Sequence, residues 1–234
     1  MSIDKRPERV AGMFDAIAAR YDFLNHLLSA GFDRGWRRRA IRSLRLTGGQ
    51  TVVDVCTGTA DVALAAVHGG AARVLGVDFA GEMLRLGAAK VAGRTAASGH
   101  VWLVRGDATR LPAASGSMDA ATVAFGIRNV EEPDRALAEM FRVLKTGGRL
   151  AILEFSIPRS AVIRAVYLPY FRHVLPRIGR LVSGHGSAYT YLPVSVGAFI
   201  PPEVMRKLLE QCGFREVLAT PLTLGVVTLY TALK

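Results

Sequence analysis

The sequence predicts an α/β protein built on an open, doubly wound, mostly parallel sheet of seven strands whose last strand runs antiparallel. Three observations carry that expectation. The β-branched run Thr51-Val52-Val53-Asp54-Val55 reads as a buried parallel strand, and Cys56-Thr57-Gly58-Thr59-Ala60-Asp61 turns it into a small-residue segment able to start a helix. Arg73-Val74-Leu75-Gly76-Val77-Asp78 is a second short apolar strand that also ends in an acid. Beyond it, strand-like and helix-like stretches alternate to residue 155, as a sheet wound by crossover helices requires.

Ahead of the first strand, Val10, Met13, Phe14, Ile17, Tyr21, Leu24 and Leu28 recur at three- and four-residue steps and mark an amphipathic helix. Tyr21-Asp22-Phe23-Leu24-Asn25 lies in its second half, and its polar groups exceed what packing needs; a solvated role and a functional one remain equally open for Asp22 and Asn25 on spacing alone. A second helix carries Arg34, Arg37, Arg38, Arg39, Arg42 and Arg45 around a Trp36, Ala40, Leu44 stripe, and most such arginines form a solvated face.

After the second strand, Glu82 to Ala97 reads as a helix and Val101 to Arg105 as a third strand ending at Gly106-Asp107-Ala108. Met118 to Phe125 is the fourth strand, followed by Gly126-Ile127-Arg128-Asn129 where such a sheet opens toward a ligand. Residues 132 to 145 are helical, Gly147-Gly148 stops them, and Leu150 to Phe155 returns as the fifth strand. From Phe155 to Pro202 there is no Asp or Glu, while arginines alternate with tyrosines and phenylalanines: a basic, aromatic insertion that reads as a helical lid. A helix from Glu203 to Cys212 and the strands Glu216 to Ala219 and Val226 to Leu233 close the sheet.

The first turn bears on the ligand. A dinucleotide fold places G-x-G-x-x-G there to admit a pyrophosphate. Here Gly58 is the turn's one glycine, and the acids Asp54 and Asp61 flank it. Two carboxylates repel a pyrophosphate and suit a ligand with an ammonium and a sulfonium, which favours S-adenosylmethionine over NAD. Asp78 is placed to take ribose hydroxyls and Asp107 to accept from an adenine amine, while Thr59 and Asp61 are expected to cap the helix. A purely structural strand and turn is the alternative.

Composition bounds the rest. The chain has 234 residues, 50% of them hydrophobic and 21% charged, enough for one large domain. Its two cysteines make neither a disulfide framework nor a metal spacing, so no metal is expected and a reducing cytoplasm is. The charged first nine residues lack a signal peptide's apolar segment, and no run of about 18 apolar residues is present to span a bilayer. A net charge of +11 points to a polyanionic partner, nucleic acid or the anionic face of a membrane.

Motifs along nearly the whole chain resemble one family, the C-methyltransferases of ubiquinone and menaquinone biosynthesis, within the class I S-adenosylmethionine-dependent methyltransferases. Tyr21-Asp22-x-x-Asn25-x-x-x-Ser29-x-Gly31-x-x-x-x-Trp36 is similar to the family's N-terminal signature, and Phe125-Gly126-Ile127-Arg128-Asn129 to the one after its fourth strand. Leu153-Glu154-Phe155-Ser156-x-Pro158, the stretch Tyr170 to Gly179, and Ala188-Tyr189-x-Tyr191-Leu192 are similar to its lid. The chain departs from the pattern at Thr57 and Ala60, where members often carry Gly, at Ala124 for Ser, at Thr146 for Pro, and at Tyr230 for His.

The resemblance implies one methyltransferase domain over 1–234: N-terminal helices to 46, a cofactor-binding core over 47–156, a lid over 157–200, and a C-terminal helix and strands from 201. It implies S-adenosylmethionine as methyl donor, held by Asp54, Gly58, Thr59, Asp61, Asp78, Asp107 and Ala108. The acceptor implied is a prenylated quinol, demethylmenaquinol ahead of a ubiquinol precursor, with Asn25, Phe125, His173, Tyr189 and Tyr191 around the ring. Methylating a ring carbon requires a hydroxyl to lose its proton, and Arg128, Asn129, Tyr21 and Asp22 are the candidate catalytic groups, Arg128 as a phenolate stabiliser because arginine stays charged. A cytoplasmic enzyme peripherally bound to the inner membrane face follows, with no nucleic-acid partner and with a homodimer as an option. Two rivals stand beside it. An RNA carbon-5 methyltransferase would explain the charge but needs a catalytic Cys that the ends of strands four and five lack; a non-enzymatic lipid- or nucleic-acid-binding module would not need Asp78 and Asp107.

Overall fold

The computed structural model describes residues 4–94, 97, 99–171, 177 and 186–234. The chain opens with two helices, α1 (Pro7–Leu28) and α2 (Phe32–Ser43), separated by a tight turn in which Gly31 adopts φ +77°. Strand β1 (Thr51–Val55), helix α3 (Asp61–His68), β2 (Arg73–Asp78), α4 (Gly81–Ala92) and β3 (Val101–Arg105) form the first wound half. The second half runs β4 (Met118–Ala124), a 3₁₀ turn (Ile127–Asn129), α5 (Pro133–Val143) and β5 (Leu144–Phe155). Helices α6 (Ala161–Pro169) and α7 (Gly186–Gly197) belong to the insertion, and α8 (Pro202–Gln211), β6 (Arg215–Leu222), a 3₁₀ turn (Thr223–Gly225) and β7 (Val227–Leu233) complete the chain.

The seven strands form one sheet in the order β3-β2-β1-β4-β5-β7-β6, parallel except for β7, which is antiparallel to both β5 and β6. The order reverses between β1 and β4, whose pairing sets Asp54 opposite Thr122. At such a reversal the connections leave to opposite faces and open a crevice beyond the strands' C-terminal ends. Alternation along β1 feeds two cores: Val53 and Val55 join Leu137, Met140, Ile152 and Leu209 on the α5 and α8 face, while Val52 joins Trp36, Ile41, Leu64 and Leu153 on the α2 and α3 face. Helix α1 bridges α4 through Ala11, Ala18 and Met83, and the insertion through Ile17, Leu24 and Phe171.

Three local expectations change. The helix expected over 82–97 ends at Ala92, with Gly93 at its C-cap. The helix expected over 132–145 ends at Val143, because Leu144 is already extended (φ −69°, ψ 141°) and pairs with Met118; Gly147 and Gly148 therefore sit inside β5, at a bulge facing Met118 and Ala120. Neither Thr59 nor Asp61 caps α3: the N-cap is Ala60, in the left-handed region at φ +66°, and no side chain completes the cap. Both side chains are engaged elsewhere, as the site shows.

Candidate active site

The crevice holds two adjoining cavities that share Phe14, Tyr21 and Phe125. The first, about 150 Å³, lies at the ends of β1, β2, β3 and β4 and is lined by Gly58, Asp78, Met83, Asp107, Ala108 and Asn129, among others. Its acids are held by backbone. Asp78 accepts from Gly58 N through Oδ2 at 2.8 Å and from Ala80 N through Oδ1 at 2.9 Å, while burial pushes its carboxyl upward against those bonds. Each oxygen keeps a second lone pair for a ligand's hydroxyl. Asp107 accepts from Thr109 N through Oδ1 at 2.8 Å, leaving Oδ2 without a partner among the described residues. The turn approaches closely because Cys56, Gly58 and Ala60 all adopt positive φ, and a side chain at Gly126 would run into Cys56. Two carboxylates, an apolar wall of Val77, Phe79 and Met83, and a bare glycine turn fit an adenosine.

The second cavity, about 250 Å³, is apolar and aromatic, lined by Met13, Ile17, Phe32, Trp36, Phe155, Phe171 and Leu192. Its floor is the turn after β4. Phe125 takes φ +58°, a conformation disfavoured for a non-glycine residue, and its ring lies 4.5 Å from that of Phe155. The next turn carries Arg128, whose Nη1 donates to Glu154 Oε1 at 2.8 Å and also to Phe125 O, with its guanidinium carbon 5.5 Å from the centre of the Phe155 ring. Glu154 Oε2 accepts from Arg128 N at 3.2 Å. Both side chains are buried, so this is a desolvated ion pair rather than a surface one.

Several buried polar atoms around the two cavities have no partner among the described residues: Arg128 Nε, Asn129 Oδ1, Tyr167 Oη and Tyr191 Oη. Such orphans are uncommon in folded proteins, and these four belong to residues lining one or other cavity, whereas Asp54 Oδ1 and Thr122 Oγ1, also unpartnered among the described residues, lie behind them. Burial raises the Tyr167, Tyr191 and Tyr21 phenols above their ordinary range, with Arg128 pulling the other way, so all three remain donors at neutral pH.

Of the site residues expected from sequence, Gly58, Asp78, Asp107, Ala108 and Asn129 line the first cavity; Asn25, Arg128 and Tyr191 line the second; Tyr21 and Phe125 line both. Asp22, Asp54, Thr59 and Asp61 line neither. Asp22 Oδ1 accepts from Thr59 Oγ1 at 2.6 Å and its Oδ2 from Lys90 at 2.5 Å; Asp61 takes Lys90 at 2.7 Å and Arg37 at 2.9 Å; Arg37 also pairs with Asp33. This chain of charges ties α1, α2 and α4 to the turn after β1. Asp54 lies beneath the turn, bonded to Thr57 Oγ1 at 2.6 Å, with its carboxyl raised by burial to about 7. His173 lies outside the described residues, as does the side chain of Tyr189. Sequence reasoning missed Glu154 and Tyr167. Glu154 left one signal, a charge within the apolar run Leu150 to Phe155; Tyr167 left none beyond its aromatic neighbours.

Comparison with known proteins agrees with this geometry. The model of the ubiE/COQ5 methyltransferase family matches residues 2–234. The demethylmenaquinone methyltransferase of Bacteroides fragilis is 44% identical over 231 residues, 98% of this chain and 94% of that protein. The ubiquinone/menaquinone biosynthesis C-methyltransferase UbiE of Syntrophotalea carbinolica is 47% identical over 236 residues, covering 100% and 98%. Among solved structures, a SAM-dependent methyltransferase of Thermotoga maritima superposes with TM-score 0.64 at 18% identity over 95% of this chain and 99% of that one. The [4+2]-cyclase SpnF does so with TM-score 0.67 at 18% identity over 100% and 98%. That a cyclase shares the fold shows why the fold alone assigns no reaction. The chain belongs to the ubiE/COQ5 methyltransferase family, and S-adenosylmethionine is its methyl donor.

Proposed function

We propose that this member of the ubiE/COQ5 methyltransferase family methylates a ring carbon of a prenylated quinol, demethylmenaquinol before a ubiquinol-pathway benzoquinol. The observation that carries the reading is the apolar second cavity, which meets the cofactor cavity at Tyr21 and Phe125 and carries the orphaned donors Arg128 Nε, Tyr167 Oη and Tyr191 Oη. A quinol has the matching surface, a flat apolar ring with oxygens at its two ends.

S-adenosylmethionine supplies an electrophilic methyl group. In our reading the protein's own groups do the rest. Asp78 and Asp107 hold the ribose and adenine, with Gly58 and Ala108 allowing close approach; Asp54, Thr59 and Asp61 shape the turn from behind. Arg128, held by Glu154, places a fixed positive charge beside the quinol oxygen as its proton passes to solvent water, so the electron-rich phenolate forms at the cavity wall, and the proton on the methylated ring carbon leaves to water afterwards. Tyr21 stands where the two cavities join and Asn129 in the wall of the first, and together they orient ring and donor. Asp22 acts through Thr59 and Lys90 as a positioning residue. Phe125 and Tyr191 enclose the ring.

A prenyl tail also requires an exit to lipid. No helix among the described residues is long and apolar enough to cross a membrane, and exposed apolar side chains stand at the second cavity's rim (Phe32) and along α6 (Val162, Val166). Peripheral attachment of a cytoplasmic enzyme to the membrane's inner face accommodates both. The test offers methyl-labelled S-adenosylmethionine with demethylmenaquinol, a demethylated ubiquinol precursor or tRNA as acceptor. Label is expected in demethylmenaquinol when reductant is present and not when the quinone is kept oxidised; label in tRNA alone would sink the reading.

A further inference from the structure

Helix α2 carries six of the chain's arginines if its C-terminal neighbour Arg45 is counted, and the active site uses one of them, Arg37. The others are not alike. Arg38 donates to Arg34 O on the same helix, whereas Arg39 and Arg42 have no hydrogen bond or ion pair among the described residues. Both line an open groove of about 550 Å³ between α2 and the C-terminal strands, together with Gly35, Ser43, Thr220, Leu229 and Thr231. Leu229, 3% exposed, forms the floor. Thr220 pairs in register with Leu229 and Leu218 with Thr231, so the two threonines lie diagonally on the face turned toward α2. Ser43 already donates to Ala40 O at 2.6 Å and can only accept further, so the groove's free donors are the two guanidiniums and the two threonine hydroxyls. No carboxylate lines it.

We propose that this groove is a binding site for a phosphate-bearing anion, held by Arg39 and Arg42 with Thr220 and Thr231. Guanidinium forks match phosphate oxygens in pairs, and two unpaired cations with two hydroxyl donors and no competing acid match a phosphate group's charge and acceptor count. A nucleic acid fits less well, because no aromatic side chain lines the groove to stack a base. Phe32, Gly35, Arg39 and Arg42 recur at steps of three, four and three, so they form one stripe of α2, about 15 Å long, that starts at the rim of the second cavity. A lipid headgroup or a free phosphate monoester would supply the same chemistry. The site stands independently of the methyl-transfer reading, since it shares no residue with either cavity.

The experiment compares the full-length protein with Arg39→Ala/Arg42→Ala and with the charge-matched Arg34→Ala/Arg38→Ala. Sedimentation with phosphatidylglycerol and phosphatidylcholine vesicles probes the headgroup, and calorimetric titration with glycerol phosphate and inorganic phosphate probes the free anion. The first double variant is expected to lose about tenfold in affinity for phosphatidylglycerol vesicles, glycerol phosphate or both, and the second less than twofold. Loss confined to vesicles assigns the headgroup, and loss in the titration assigns the free anion. Equal losses in the two double variants would reduce the effect to net charge and overturn the site, as would absence of binding by the unmodified protein in both assays. Binding of S-adenosylmethionine, unchanged in either variant, controls for folding, and methylation of a short-chain quinol in detergent reports separately on the proposed reaction.

Discussion

Glu154 Oε1 and Arg128 Nη1 meet at 2.8 Å between side chains 1% and 5% exposed, at the point where β5 passes the turn that follows β4. The pair fixes the guanidinium so that Nε is left over, buried and unbonded among the described residues, at the wall of the apolar cavity. A buried pair of this kind adds little to stability as a whole, but removing one partner leaves an uncompensated charge. Glu154→Gln is therefore expected to lower stability by about 3 kcal/mol and turnover by at least tenfold, about 1.4 kcal/mol in the barrier, while S-adenosylmethionine affinity changes less than twofold. Thermal melts, calorimetry and steady-state rates check it. Lost stability with unchanged turnover would make the residue purely structural.

Asp54 gives a prediction in pH. Its carboxyl is buried, Oδ1 has no partner among the described residues, and burial outweighs the Thr57 bond to raise it from 3.8 to about 7. The folded protein thus prefers the protonated acid. That preference costs nothing below about pH 4, where the unfolded chain is protonated too; stability is lost as pH rises from there through about 7, and the loss is complete above it. The displacement corresponds to about 4 kcal/mol. Asp54→Asn, which cannot ionise, should match the parent's melting temperature near pH 4 and exceed it at pH 8. A difference independent of pH would show that Asp54 stays ionised in the fold.

The charge chain behind the turn predicts a different phenotype. Lys90 stands between Asp22 and Asp61 and also donates to Thr59 Oγ1 at 3.0 Å, with a side chain 22% exposed. Lys90→Met leaves two carboxylates facing each other, and partial exposure keeps the expected loss to about 1 kcal/mol. Because Thr59 adjoins Gly58, whose N–H positions Asp78, S-adenosylmethionine binding should weaken severalfold with turnover at saturation nearly kept. Calorimetry and the split between kcat and KM decide it; a drop in kcat alone would place Asp22 at the reacting ring instead.

These residues also show where the sequence was readable. Sheet, winding and the place of Asp78 and Asp107 beside the first cavity could be found because strand period and an acid at a strand's end are local features. Asp22 and Asp61 looked like ring and cofactor contacts because their partner Lys90 is 68 and 29 residues away, and nothing local announces it. Thr59 looked like a helix cap because Ser and Thr usually are; the left-handed Ala60 took that position and freed the hydroxyl for Asp22. Glu154 was inside the apolar run Leu150 to Phe155, and only the crossing of β5 past the turn gives it Arg128. Long-range polar pairing, unlike hydrophobic period, has no signature in spacing.

The two orphaned tyrosines allow a sharper test of the substrate cavity, because binding and folding respond with opposite signs. Tyr167 Oη and Tyr191 Oη are buried without a partner among the described residues, and burial holds both phenols protonated, so each is a donor awaiting an acceptor. In the protein alone that hydroxyl is a desolvation cost with nothing in return, and Tyr→Phe at either position should leave the melting temperature unchanged or raise it. With a quinol oxygen in reach the same hydroxyl contributes about 1 kcal/mol, so its removal should raise KM for the quinol about fivefold, with S-adenosylmethionine affinity untouched. A structural hydroxyl would do the reverse, lowering the melting temperature and leaving KM alone. Melting curves and quinol KM values for Tyr167→Phe, Tyr191→Phe and the double variant decide between the two. The double variant adds a further constraint: if the hydroxyls take different oxygens of the ring their effects on KM multiply, and if they share one oxygen the second removal adds little.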